Sequence, residues 1–426
     1  AVMDSAVYPE HEDLRANVLR GEAWDATADG PMDFGAANYT VNSGHGTSVA
    51  GVVAGVANNG VGIAGASFNG RVLPVRVFNN EGQSSTKFIY QAFMHLMREK
   101  VAGRLADLRV VNLSLGTYKA EAVADGILRG CIALMRDDFG VVTVCAGGNG
   151  DKAGRPFTDP LYPADWPECV AVTALKADGA NAAWSDYNRY KDISAPGVSM
   201  LTTRPSGPSA YGTMSGTSFS APLVSGAFAL LFAAFPETSV DDACDAVYAS
   251  ATPIVDSAND RSKASGSHGA LNATGALCYL KAWQFTDMPR NHWSCESVGY
   301  AALEGIVNGY ADGSGAFGVE APVTRLHAVQ LPGRRSVGPG GTSGRRGSEP
   351  VVRRRRELGS GYRGHERLQR QRFRGERSPH PRAGGLHPRQ RIPCGCGCGR
   401  SGEVQRAEGH CPGERLGARC PHMGGG

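Results

Sequence analysis

Gly216-Thr217-Ser218-Phe219-Ser220-Ala221-Pro222 joins a Gly/Ser-rich approach, Tyr211 to Ser215, to a long apolar run, Leu223 to Phe235. Ala, Leu, Val and Phe occur on every face of that run, the pattern of a buried helix rather than an amphipathic one. Pro222 then falls in the first turn, where its missing N–H leaves no bond unmade. A serine at the mouth of such a helix has an exposed hydroxyl near the positive end of the helix dipole. Ser218 reads in two ways. It is an N-cap, a common role for Ser before a helix, or a nucleophile, which needs a base to take its proton. The seven residues alone leave both open.

A chain of 426 residues allows two or three domains and a sizeable core. No continuous apolar run of about eighteen residues suggests a membrane span. The first residues, Ala1-Val2-Met3-Asp4, are neither a start methionine nor a signal peptide and read as a strand already under way. A fragment or a processed chain is the expectation. The net charge of +4 hides two unlike parts. Residues 333–426 carry 21 Arg, no Lys, 7 Glu and no Asp, a net +14. Residues 1–332 carry 23 basic and 33 acidic side chains, a net −10, as in a mildly acidic globular protein.

Along the chain, Ala1 to Met3 is an apolar strand ending at Asp4. In Asn42-Ser43-Gly44-His45-Gly46-Thr47-Ser48-Val49-Ala50-Gly51 a histidine opens a helix of very small residues, which lets the helix lie close to a neighbour. Taken alone, His45 reads first as an ordinary surface or capping histidine. Strands over Val72–Phe78, Leu108–Leu113, Val141–Cys145 and Cys169–Ala174 alternate with helices over Ser84–Lys100 and Ala122–Asp137. In the first of these helices Phe88, Phe93, Leu96 and Met97 recur at helical spacing, as core residues do. Repeated βαβ units with fully apolar strands predict an α/β fold, a parallel sheet covered by helices on both faces. In such sheets chemistry gathers at the carboxyl ends of the strands, where Asp4, Ser114-Leu115-Gly116 and Asn149 all fall.

Three separated segments carry a family resemblance. Asp4-Ser5-Ala6-Val7, Gly44-His45-Gly46-Thr47-Ser48-Val49-Ala50-Gly51 and Gly216-Thr217-Ser218-Phe219-Ser220-Ala221-Pro222 resemble the aspartate, histidine and serine motifs of the subtilisin-like serine peptidases, in that family's chain order. Ala146-Gly147-Gly148-Asn149 resembles the family's Ala-Ala-Gly-Asn, and His268-Gly269-Ala270-Leu271-Asn272-Ala273 resembles the run that closes its catalytic domain. The similarity covers residues 1–282. It implies a serine endopeptidase acting on protein or peptide substrates through an acyl-enzyme. Ser218 would be its nucleophile, His45 its general base and Asp4 the orienting carboxylate. Asn149 would line the oxyanion hole, and Ser114-Leu115-Gly116 would be a strand that pairs with substrate backbone. The resemblance brings calcium into view as a cofactor but assigns no metal ligand.

Departures keep a second reading in play, a non-catalytic subtilase-like scaffold. Ala6 replaces the usual Gly, and at a positive φ its Cβ would cost about 1 kcal/mol. Phe219 and Ser220 replace Met and Ala.

A second module runs over residues 285–331. Phe285-Thr286-Asp287-Met288-Pro289, His292-Trp293, Gly305-Ile306-Val307-Asn308-Gly309-Tyr310-Ala311-Asp312-Gly313 and Ala321-Pro322-Val323-Thr324-Arg325 resemble one S-layer homology (SLH) repeat. That resemblance implies binding to bacterial cell-wall polysaccharide, an extracellular, wall-attached location, and a glycan site near Trp293 and Arg325. Trp293 reads equally as a core residue.

Residues 332–426 are rich in Arg, Gly and Pro and poor in Lys, Asp and Asn. A basic arm for nucleic acid and a disordered linker both fit that bias. A GC-rich gene read out of frame fits it better, because the repeat loses its pattern over Leu326–Leu331. Nucleic acid is therefore not the expected partner. Cys394-Gly395-Cys396-Gly397-Cys398 has the wrong spacing for zinc. Six further cysteines, Cys131, Cys145, Cys169, Cys244, Cys278 and Cys295, lie in the body. Pairing of Cys145 with Cys169, pairing of Cys244 with Cys278, and free buried thiols all remain open.

Overall fold

The computed structural model describes residues 1–35, 44–118, 126–254 and 268–322. The expected tail of residues 332–426 and the expected glycan residue Arg325 lie outside them.

An 8-stranded sheet forms the centre, in the order β3-β2-β4-β1-β5-β6-β7-β8. The strands are β1 (Val2–Asp4), β2 (Trp24–Asp25), β3 (Gly30–Pro31), β4 (Pro74–Arg76), β5 (Val110–Leu113), β6 (Val142–Ala146), β7 (Cys169–Leu175) and β8 (Ile193–Pro196). All neighbours run parallel except β2 and β3. The apolar strands recognised in the sequence are these central ones, and β6 and β7 are buried along their whole length.

The helices follow from their patterns. α1 (Gly44–Ala54) is the small-residue helix. α2 (Thr86–Val101) starts at Ser85, whose hydroxyl accepts the Phe88 N–H, and buries Phe93, Leu96 and Met97. α3 is Gly126–Asp137. α4 (Thr217–Ala234) is the apolar run, and it packs against β5, β6, β7 and β8 through Val224, Phe228, Leu231 and Phe232. Arg109 closes its far end. The guanidinium lies 4.0 Å from the Phe232 ring and donates to the carbonyls of Pro236 and Thr238. α5 (Val240–Ser250), α6 (Ala273–Ala282) and α7 (Cys295–Leu303) follow among the described residues. Met288, Cys295 and Val298, from the start of the second module, enter the same core cluster as Phe228, Val247 and Tyr279.

Several expectations change. A hairpin of β9 (Met200–Thr203) and β10 (Tyr211–Met214) covers α1 and precedes α4. Its Gly/Ser-rich sequence reads as a mere approach, because two strands of only four residues show no clear alternation. α4 begins earlier than the apolar run, with Gly216 as N-cap, so Ser218 is the second helical residue rather than the cap. Pro222 therefore lies inside the helix, not in its first turn. Among the described residues, α4 alone is long and apolar enough to cross a membrane, a length that the sequence pattern does not reveal; 67% of it is buried within this fold. All six body cysteines are buried free thiols, which removes both disulfide pairings.

Ser220, on α4, is fully buried and its hydroxyl has no hydrogen-bond partner among the described residues. An unmatched buried hydroxyl costs about 1–3 kcal/mol. Ser220→Ala keeps the shape and removes the orphan, so urea denaturation should show a gain of about 1 kcal/mol or more. A loss of stability would mean that the hydroxyl has a partner in solution.

Candidate active site

β1 ends at Asp4, whose side chain is almost wholly buried. Its carboxylate oxygens both lie 2.9 Å from His45 Nδ1, and Oδ1 also accepts the Ser5 N–H at 2.6 Å. Two features bring the imidazole there. The first is close approach: a Cβ on Gly46 would sit 2.3 Å from the Ala6 carbonyl oxygen and 3.2 Å from Asp4 Cβ. Only glycine lets α1 rest directly on the end of β1. The second is pinning. The Ser5 hydroxyl accepts the Gly46 N–H at the start of α1. Thr202 and Thr203 on β9 donate their hydroxyls to the carbonyls of Ser48 and Thr47, and Ser48 donates back to the Thr203 carbonyl.

Burial alone would pull the His45 pKa down. The Asp4 carboxylate outweighs it through charge and hydrogen bond, Arg204 opposes, and the net value lies above the ordinary 6.5.

Ser218 occupies the first turn of α4, with the Phe219 ring 5.6 Å from the His45 ring. Its hydroxyl donates to the Ser114 carbonyl at 3.4 Å, and no described hydrogen bond joins it to His45. Catalytic hydrogen bonds are often loose without substrate, and Oγ reaches other positions by rotation about χ1 between staggered wells. As the second residue of the helix, Ser218 has an N–H with no carbonyl four positions back to receive it.

Asn149 follows β6 and is exposed. Its Oδ1 accepts both the N–H and the hydroxyl of Thr217, at 2.8 and 2.9 Å. With Oδ1 engaged, the amide presents Nδ2, the donor that a developing oxyanion requires. Sequence reasoning alone does not single out Thr217, although its place beside Ser218 is a visible signal. Asp186 fixes the same loop, accepting the N–H groups of Gly150 and Phe157 at 2.8 Å and the Tyr118 hydroxyl. Gly148 has φ 108°, and a Cβ there would meet the Asp186 carboxylate at 1.9 Å, so glycine is required.

Ser114, Leu115 and Gly116 leave the end of β5 beside Ser218. Thr117 then pairs with Tyr162 through two backbone bonds of 2.9 Å. Leu115 and Gly116 make no backbone hydrogen bond to another described segment.

Ala6 is buried against Ala23 and Met32, and its φ is not positive. The strain expected from its Cβ is absent. Among the described residues no group of three or more His, Cys, Asp or Glu side chains stands ready to hold a metal ion. In the second module Trp293 is 59% exposed, which excludes the core reading.

Two parts of the chain match known families. A model of the subtilase family matches residues 1–276, and an S-layer homology domain model matches residues 284–329. Subtilisin from Bacillus pumilus is 30% identical over 236 residues, 55% of this chain and 77% of its own. Subtilisin E from Bacillus subtilis (strain 168) is 30% identical over 55% of each chain. This chain thus spans about half the length of several of the curated relatives it matches. A solved protease from Pseudoalteromonas arctica PAMC 21717 superposes with TM-score 0.52 at 28% identity, over 65% of this chain and 87% of its own. Prenylagaramide maturation protease PagA gives 0.50 at 26% identity, over 65% and 90%. With the family match covering more than half of its residues, this chain belongs to the subtilase family.

Proposed function

We propose that the chain is a serine endopeptidase that works through Asp4, His45 and Ser218 and is held at the bacterial cell surface by its S-layer homology segment. The observation that carries this reading is the Asp4–His45 bond. A buried carboxylate grips the imidazole at Nδ1, which leaves Nε2 as the ring atom available for proton transfer.

An extended peptide adds to the unpaired backbone edge of Leu115 and Gly116. Ser218 Oγ then attacks the scissile carbonyl carbon while its proton passes to His45 Nε2. The oxyanion that forms is received by Asn149 Nδ2 and the Ser218 N–H. Collapse breaks the C–N bond, and the amine leaves with the proton from His45. Water repeats the sequence on the acyl-enzyme, returning the acid and the free serine. Asp4 keeps hold of the imidazole and stabilises the imidazolium. For the anchor, the exposed Trp293 supports a flat apolar face for a sugar ring, and Arg325 would flank it.

A fluorophosphonate probe should label the full chain at Ser218, and Ser218→Ala should abolish the labelling. A folded, unlabelled parent chain would sink the peptidase reading and leave the scaffold.

His45 is the base only when neutral. Because its pKa is raised, kcat/KM should fall with acid through a midpoint above 6.5. Arg204→Gln removes the opposing charge and should move that midpoint higher. A midpoint at or below 6.5, unmoved by Arg204→Gln, would contradict the assignment.

Purified bacterial wall polysaccharide should co-sediment with the full chain, and Trp293→Ala should weaken that binding about tenfold without changing probe labelling. Undiminished binding would remove Trp293 from the anchor.

A further inference from the structure

α4 has a defect next to its proposed nucleophile. In a regular helix the carbonyl of Ser218 would accept the N–H of residue 222, but that residue is Pro222, which has none. Ser218 is only 9% exposed, so water is a poor substitute, and a buried carbonyl left without a donor is destabilising. The Ser114 hydroxyl fills the vacancy, donating to the Ser218 carbonyl at 2.9 Å.

Ser114 is itself held. Asn112 Nδ2 donates to its hydroxyl at 2.9 Å, and the Ser225 hydroxyl donates to Asn112 Oδ1 at 2.9 Å. Asn112 and Ser225 are each 1% exposed. A fully buried Asn between Val111 and Leu113 is foreign to a central parallel strand, where apolar residues belong. Its amide is matched on both sides by this chain of bonds. Asn112 also stands opposite Val2 on β1, two residues from Asp4, and its N–H donates to the Ala1 carbonyl. The network thus runs from the strand beside the carboxylate, through Ser114, to the backbone of the nucleophile. Ser114 brackets Ser218 twice, with its hydroxyl on the Ser218 carbonyl and its own carbonyl under the Ser218 hydroxyl.

We infer that Asn112, Ser114 and Ser225 are positioning residues that set the height and rotation of Ser218, by supplying the helix hydrogen bond that Pro222 withholds. The inference rests on the proposed peptidase reading. It gives the Ser114 side chain a task distinct from the backbone pairing of Leu115 and Gly116 with substrate. A nucleophile displaced by about 1 Å loses about 10²-fold in rate, so the effect falls on the bond-forming step and not on binding.

The test is a cycle on the full chain, read as the maximal labelling rate and half-saturating concentration of a fluorophosphonate probe. Ser114→Ala should lower the maximal rate about 10- to 100-fold with half-saturation changed less than about twofold. Its acid midpoint should stay put, because the Asp4–His45 pair is untouched. Pro222→Ala restores the missing N–H, so in that background Ser114→Ala should cost less than about threefold. Equal losses in both backgrounds, an undiminished rate in Ser114→Ala, or a loss confined to half-saturation would each overturn the inference. If Ser114→Ala does not fold, the Ser114→Ala/Pro222→Ala chain decides. Recovery of folding and labelling supports the bond, and failure to recover refutes it. A parent chain that the probe leaves unlabelled fails earlier, and overturns the peptidase reading together with this one.

Discussion

A carboxylate taken out of water at the end of a strand needs partners, and Asp4 has the imidazole of His45 and the N–H of Ser5. Much of the fold serves that pair. β1 carries Asp4 between β4 and β5, so its position is fixed from both sides of the sheet. α1 delivers His45 at a distance that only Gly46 permits. β9 clamps α1 through three hydroxyl–carbonyl bonds. The raised His45 pKa is the electrical record of the same contact. By linkage, this pair stabilises the fold while the imidazole is charged and stops doing so as pH rises through the raised value. The neutral form that the proposed chemistry needs is therefore the form that the fold favours less.

The remaining groups reach the same rim by independent routes. Asn149 arrives on β6 and is turned by Thr217, while Ser218 arrives on the helix that packs across four strands. Thr217 is the hinge of this arrangement, since it belongs to α4 yet fixes the amide beside it. Substitutions in the core beneath α4 would therefore disturb the proposed nucleophile and the proposed oxyanion donor together, whereas changes around β9 would disturb the imidazole.

Much of this is legible in the residues themselves. Apolar strands separated by helices specify a parallel sheet, and polar residues at or just past the ends of such strands mark its carboxyl edge. Those two rules place Asp4, Ser114 and Asn149 without any contact information. The small side chains of Gly46, Ser48, Ala50 and Gly51 forecast a closely packed α1, and the structure supplies its neighbours, Ala6 and Thr203. Other features are hidden because they depend on register. The start of α4 is easily misplaced because Thr217, Ser218 and Ser220 are polar and look like loop, although they are buried by contacts from distant segments. That error conceals the consequence of Pro222. The β9–β10 hairpin escapes notice because its burial is set by α1 rather than by its own pattern. Ala6 misleads in the opposite direction, since a backbone angle decides its effect and a sequence carries no φ. The free thiols at Cys145 and Cys169, on neighbouring strands, show that proximity along a sheet does not make a disulfide.

The most direct test of the central interaction is the tautomer of His45, read by nitrogen-15 NMR of the full chain and assigned by loss of the signal in His45→Gln. Above its titration the ring should carry its proton on Nδ1, with a low-field, slowly exchanging resonance that disappears in Asp4→Asn. A ring protonated on Nε2, or one indifferent to Asp4→Asn, would show that the carboxylate does not hold the imidazole for catalysis.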